Sequence, residues 1–218
     1  MERNAEQRQQ FIVSQTRLAP VPGLRDVSLH TASAAFDLWH EAADWLRRNE
    51  IALPFWAFPW AGGTGLARHL QEHPELVRGK SVTDVASGSG LVGIVAAMCG
   101  AAKVDCIDID PMAESAALLN AAANSTVVSV QTVDVTTLRP RAGVILAGDI
   151  CYEAPMAASL LGWLRACSAA GAEVFVGDPG RHYLERDGML EVGRYRIPAS
   201  RELESGDEVT VTVYRVSA

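Results

Sequence analysis

No apolar run in the 218 residues approaches the roughly 20 that a bilayer-spanning helix needs, so no membrane anchor is expected. Cysteine is scarce as well, and Cys99, Cys106, Cys151 and Cys167 form no CxxC pair. That spacing excludes a disulfide framework and a cysteine-built zinc site, and it points to free, buried thiols in a reducing compartment. The first residues are polar where a secretory leader is apolar, so the expected location is cytoplasmic. Basic residues are in deficit, 19 against 26 acidic, and the net charge of -7 argues against a nucleic-acid partner, because phosphate binding needs a basic face. His30, His40, His69, His73 and His182 lack metal-ligand spacing, and no metal is expected.

What is present is an ordinary globular balance of 49% apolar and 21% charged residues, enough to bury a core without staples. The length suits one domain with an extension, expected to act as a monomer. Composition changes near residue 80. Four of the five tryptophans precede it, and after it short β-branched runs alternate with alanine-rich helical patterns. That alternation is the sign of a parallel sheet with crossover helices. Strands are predicted at 80–86, 103–109, 127–132, 143–148 and 172–177, and helices at 91–100, 111–123, 154–170 and 181–190. The last two strands, 191–200 and 208–216, are joined by a short polar turn at Ser205-Gly206-Asp207 and must be antiparallel. The expectation is a doubly wound, Rossmann-like seven-stranded α/β sheet with an antiparallel last strand (76–218). A helical N-terminal extension (1–75) packs on it, with Phe36, Trp39, Ala43 and Leu46 forming the apolar stripe of a helix over 33–49.

Asp84-Val85-Ala86-Ser87-Gly88-Ser89-Gly90 follows the first strand of that sheet and opens a helix. Small residues let a backbone turn tightly against a ligand, and a carboxylate there can hold a cationic amino group. The pattern is not GxGxxG, which makes a pyrophosphate ligand the weaker reading. Asp108-Ile109-Asp110-Pro111 closes the next strand, where an acid can take a ribose diol, and Asp134 after the third strand can accept from an adenine amino group. Each of these acids could instead be a helix cap. In series at successive strand ends they read as one nucleoside site.

With these motifs in view, the chain resembles the seven-β-strand S-adenosylmethionine-dependent methyltransferases. Within that class it is similar to the electron-transfer flavoprotein β-subunit lysine methyltransferase family. The likeness runs through Pro54 to Gly63, Asp84 to Gly90, Asp108 to Pro111, Gly148 to Glu153 and Gly177-Asp178-Pro179-Gly180-Arg181. One departure is Ala86 where the motif expects glycine, a strained choice if φ is positive. The resemblance implies S-adenosylmethionine held by Trp60, Asp84, Ser87, Gly88, Gly90, Asp108, Ile109 and Asp134. S-adenosylhomocysteine is then the product, and the substrate lysine meets Asp149 and Tyr152.

Asp149 can orient and accept from an incoming ammonium, with Tyr152 walling the channel, or it can cap the helix that begins near 154. Trp60 can face a sulfonium or seal the N-terminal helices, beside a flexible Gly62-Gly63 loop, while Trp56 belongs to the core. Asp178 and Arg181 are substrate-side by resemblance or simply turn residues. Three functions are open at this point. The first is protein-lysine methylation, on the β subunit of electron-transfer flavoprotein, with ribosomal proteins as further candidates. The second is methylation of a small amine such as nicotinamide, which needs an enclosed pocket. The third is a non-catalytic cofactor-binding protein, against which the intact Asp84, Asp108, Asp149 and Tyr152 speak.

Overall fold

In the computed structural model the described residues are 4–32, 54–199, 204 and 206–217. The helix expected over 33–49, together with Ser205 of the polar turn, lies outside them. A seven-stranded sheet occupies the centre: β3 (Ser81–Val85), β4 (Lys103–Asp108), β5 (Ser129–Thr132), β6 (Val144–Gly148), β7 (Glu173–Asp178), β8 (Met189–Pro198) and β9 (Glu208–Val216). Their order is β5-β4-β3-β6-β7-β9-β8. The five strands from β3 to β7 are parallel, and β9 runs antiparallel to both β7 and β8. The expected sheet and its antiparallel last strand are therefore observed.

Local sequence explains the elements. Residues Val144–Ala147 are fully buried, the unbroken apolar run of a strand covered on both faces. One face of the sheet is covered by helices over Ala61–Glu72 (α2) and Leu91–Met98 (α3), through Leu66, Leu70, Ile94 and Val95. Pro111 starts the helix over Pro111–Ala123 (α4), whose first turn is capped by Asp110, which accepts from Met112 N at 2.8 Å. The other face of the sheet is covered by the helix over Ala154–Ala169 (α5) through Leu160, Leu161, Leu164 and Cys167.

The N-terminal part is less helical than expected. After α1 (Ala5–Gln15) the chain forms an antiparallel pair, β1 (Thr16–Pro20) and β2 (Ser28–Ala32). A cluster of Ile12, Trp56, Ala57 and Phe58 packs these residues onto α4 at Ala113 and Ala116, so Trp56 is a core residue as expected. No helix forms over 181–190: the chain turns at Gly180 and again at Gly188, and β8 already begins at Met189. Asp178 Oδ1 accepts from Gly180 N at 2.6 Å and Arg181 N at 2.7 Å, and Gly180 and Gly188 both hold positive φ. No helix among the described residues is long and apolar enough to cross a membrane.

Candidate active site

The chain leaves β3 outward to β4 and β5, then returns to β6 on the other side of β3, which makes the carboxyl ends of β3 and β6 the topological switch point. The loop after β3 turns through Ala86 (φ +52°), Gly88 (φ +50°) and Gly90 (φ +79°). Gly90 is required by packing, since a Cβ there would lie 2.8 Å from Ala117 Cβ. Gly88 has no such neighbour. Its imagined Cβ meets only Phe55 O and Trp56 Cα at 3.8 Å, so this glycine borders a gap between the loop and the 54–60 segment.

Carboxylates brace that loop from both strands. Asp84, almost fully buried, accepts from Gly93 N at 2.8 Å and so caps the third N–H of α3. Burial pushes its pKa to about 8, moderated by the Gly93 N–H and reinforced by the charge of Asp108. Asp108 accepts from Gly88 N at 2.8 Å and from Asp110 N at 3.0 Å, and burial raises its pKa too. Ile109, next to it, is 72% exposed, a large apolar side chain turned to the surface rather than to the core. Ser87 Oγ is buried with no hydrogen-bond partner among the described residues. An orphaned hydroxyl, a glycine bordering a gap and a part-buried carboxylate suit a ligand that brings its own hydroxyl and amino groups. Asp134 stands beyond β5, exposed, with Oδ1 accepting from Thr136 N at 2.9 Å and Thr136 Oγ1 at 2.7 Å.

The second half of the site hangs on Asp149, which follows β6 in the left-handed region at φ +55°. Its Oδ2 accepts from Gly63 N at 3.0 Å, so Asp149 caps α2 rather than α5, whose N-cap Glu153 makes no capping bond. Gly62-Gly63 is accordingly not a flexible loop but the first turn of α2, pressed onto the sheet edge. A Cβ on Gly62 would fall 2.6 Å from Asp149 Oδ2, and one on Gly148 would fall 2.6 Å from Gly63 Cα. Asp149 Oδ1 accepts from Arg181 Nε at 3.2 Å and Nη2 at 2.9 Å. Burial lifts the Asp149 pKa to about 6, against the pull of Arg181 and the Gly63 N–H. A carboxylate ionised at neutral pH yet within reach of a proton has the character of an acid–base group.

Aromatic rings join the two halves. Phe55 lies 5.2 Å from Tyr152 and 5.9 Å from Trp60 between ring centroids, and Trp60 Nε1 donates to Phe55 O at 2.8 Å. Tyr152 and Tyr183 are each about two-fifths exposed, and Tyr183 N reaches Cys151 O. Burial, then the charges of Glu153, Asp108 and Asp149, hold the Tyr152 hydroxyl up at about 12, so it stays protonated at neutral pH. Ser87, Gly88, Asp108 and Ile109 thus share one edge with Trp60, Asp149 and Tyr152, and Asp134 lies further along it. Sequence reading did not find Phe55, which shows only as one aromatic among several, nor Glu204, whose loop carries no motif. Glu204 accepts from Arg181 at 2.6 Å.

The family model of ribosomal protein L11 methyltransferase (PrmA) matches residues 68–150. The chain is 32% identical over 197 residues to the electron transfer flavoprotein beta subunit lysine methyltransferase of Rattus norvegicus, covering 87% of this chain and 76% of the relative. The Homo sapiens protein of the same name is 32% identical over 198 residues, 87% of this chain and 74% of the relative. Among solved structures, the ribosomal protein L11 methylase of Lactobacillus delbrueckii subsp. bulgaricus superposes with a TM-score of 0.51 at 21% identity, over 73% of this chain and 81% of that one. This last likeness concerns the fold.

Proposed function

The chain belongs to the electron transfer flavoprotein β-subunit lysine methyltransferase family and is an S-adenosylmethionine-dependent protein-lysine methyltransferase, and from that premise we propose that its substrate is the electron transfer flavoprotein β subunit of its own host. The observation that carries the reading is the placement of a nearly buried carboxylate, Asp149, beside the exposed rim of Tyr152 and Tyr183, one strand from the loop of small residues. The rim is open, which suits a lysine on a protein surface better than a small heteroaromatic amine. The family model of ribosomal protein L11 methyltransferase matches only residues 68–150, the cofactor half, and does not include the Trp60 or Gly177–Arg181 segments.

S-adenosylmethionine supplies, when bound, a methyl group that leaves its sulfonium as the N–C bond forms on the lysine nitrogen. Ser87, Gly88, Gly90, Asp108 and Ile109 are the residues we assign to holding it, Asp108 at the ribose diol and Asp134 at the adenine amino group. Asp84 fixes the loop from below, and Trp60 walls the methyl side. Asp149 orients the lysine and takes a proton from its ammonium, which frees the nitrogen lone pair that forms the N–C bond, while Tyr152 excludes water from the channel. Residues 1–75 add contact area for the protein substrate, and 76–218 form the methyltransferase domain. The enzyme acts as a monomer in the cytoplasm, where a net charge of -7 favours encounter with a lysine-bearing surface.

Mass spectrometry of recombinant flavoprotein β after incubation with enzyme and cofactor should show added methyl groups on lysine peptides. Efficient methylation of nicotinamide with none on the protein would move the function to the small-amine reading. The cofactor assignment is tested separately. Asp108→Ala removes a charged acceptor, a loss of roughly 1.5–3 kcal/mol, so S-adenosylmethionine should bind about tenfold or more weakly in calorimetry. Unchanged affinity in the folded variant would take Asp108 out of the site.

A further inference from the structure

Asp149 shares its guanidinium. Arg181 bonds Asp149 Oδ1 and, at the same time, both oxygens of Glu204, at 3.0 Å from Nη1 to Oε2 and 2.6 Å from Nη2 to Oε1. The side chains of Asp149 and Glu204 are 8% and 7% exposed, and Arg181 is 24% exposed. Two carboxylates against one guanidinium leave a nearly buried cluster one positive charge short. Buried charge without a counter-charge is costly, so such a cluster has a standing demand for a cation. It sits beside the Tyr152 rim.

We propose that Glu204 is a positioning residue for the acceptor lysine: it makes the cluster net negative, so that an ammonium completes it, and it keeps hold of Arg181 while the ammonium bonds Asp149. The inference rests on the reading of Asp149 as the residue that meets the lysine. Glu204 lies between β8 and β9 in sequence, so the residue that completes the cluster comes from the antiparallel end of the sheet.

The groups facing Asp149 can be named element by element. The first turn of α2 brings only the uncharged Gly63 N–H. The β6–α5 connection brings Cys151 and Tyr152, both held at about 12 and silent near neutrality, and then Glu153. The end of β7 brings Asp178 and the turn after it Arg181, β4 brings Asp108, which acts on Tyr152, and the β8–β9 connection brings Glu204. Of these, Arg181 lowers the Asp149 pKa and Glu204 raises it. The two variants must therefore displace the acid limb of activity in opposite directions, which a merely structural pair would not do.

The test is steady-state methylation of recombinant flavoprotein β between about pH 5 and 9 by wild type, Glu204→Gln, Arg181→Lys, Arg181→Gln and Asp149→Asn, with cofactor affinity measured for each. Glu204→Gln should raise KM about tenfold with kcat within about threefold, and should move the acid limb of kcat/KM to lower pH. Arg181→Gln should move that limb to higher pH, and Arg181→Lys should fall between it and wild type. Cofactor affinity should stay unchanged throughout. Titration of n-butylammonium into enzyme loaded with S-adenosylhomocysteine, followed by NMR, reads the same preference if flavoprotein β is not turned over. An unchanged KM and butylammonium affinity in Glu204→Gln, or limbs that move together, overturns the inference. If Asp149→Asn is as active as wild type, the underlying reading of Asp149 has failed instead.

Discussion

Ala86 holds φ +52° in the turn that borders the candidate cofactor site. A β-carbon in that region costs roughly 1–2 kcal/mol. Glycine would remove the strain but returns about 0.5–1 kcal/mol through its greater freedom when unfolded. Ala86→Gly should therefore stabilise the protein by up to about 1 kcal/mol, a rise of ~2–4 °C for a chain of this size, with methyl transfer unchanged. A lower melting temperature would mean that neighbours hold the alanine more tightly than its dihedral suggests. This position is legible in the sequence, because a motif that wants glycine announces where a positive φ must fall. Acids are legible only as acids. Asp110 and Asp134 each fit a cap, a ligand or both, and Asp110 caps α4 while Asp134 caps the short turn at Val135–Thr137 through Oδ1 alone. Asp149 is a cap as well, but of α2, 86 residues away in sequence. No local rule reveals a cap supplied across such a distance, and none reveals Glu204.

At the scale of elements, one buried side chain ties the N-terminal hairpin to the glycine loop. Asn120, on α4 and with no exposure, accepts from His30 N of β2 at 2.7 Å and donates to Ser89 O at 2.8 Å. Asn120→Leu keeps the branching, adds bulk at a site with no exposure and leaves both backbone groups unpaired, about 1–3 kcal/mol for each. Chemical denaturation should show that loss, and S-adenosylmethionine should bind more weakly because the loop loses its brace. Asn120→Asp separates the two bonds, since it keeps the acceptor for His30 and loses the donor for Ser89. Cofactor binding as strong as in wild type for both variants would confine Asn120 to stability. The sheet itself is readable: every strand of 81–216 lies within about two residues of its expected bounds, the buried central strand β6 as an unbroken apolar run and β9 as a polar–apolar alternation. The pair β1 and β2 is not, since Thr16–Pro20 and Ser28–Ala32 mix polar and apolar residues and owe their pairing to α4. The helix expected at 181–190 fails because positive φ at Gly180 and Gly188 breaks the segment into turns and β8 starts at Met189.

For the molecule as a whole, burying carboxylates couples stability to pH in an unusual direction. Asp84, at about 8, and Asp149, at about 6, keep protons in the folded protein that an unfolded carboxylate releases near 3.9. Where the folded state binds more protons than the unfolded one, stability falls as pH rises. His69 works the other way. Burial and the neighbouring His73 lower its pKa to about 4, so it holds fewer protons when folded and adds stability as pH rises from about 4 to its ordinary 6.5. Above 6.5 that compensation is complete and Asp149 has already ionised, while Asp84 goes on releasing its proton up to about 8. The cofactor-free enzyme should therefore lose stability between pH 6.5 and 8.5, by at most about 2 kcal/mol at 1.36 kcal/mol per pKa unit. Thermal melts at the two pH values measure this directly. Asp84→Asn can still accept from Gly93 N, so it keeps the cap on α3 and removes the titration, and its melts should coincide. A wild-type melting temperature that is flat or rising over this window would show that Asp84 is ionised in the fold. The carboxylate at the base of the loop would then be a standing negative charge, available to a cationic amino group of the cofactor.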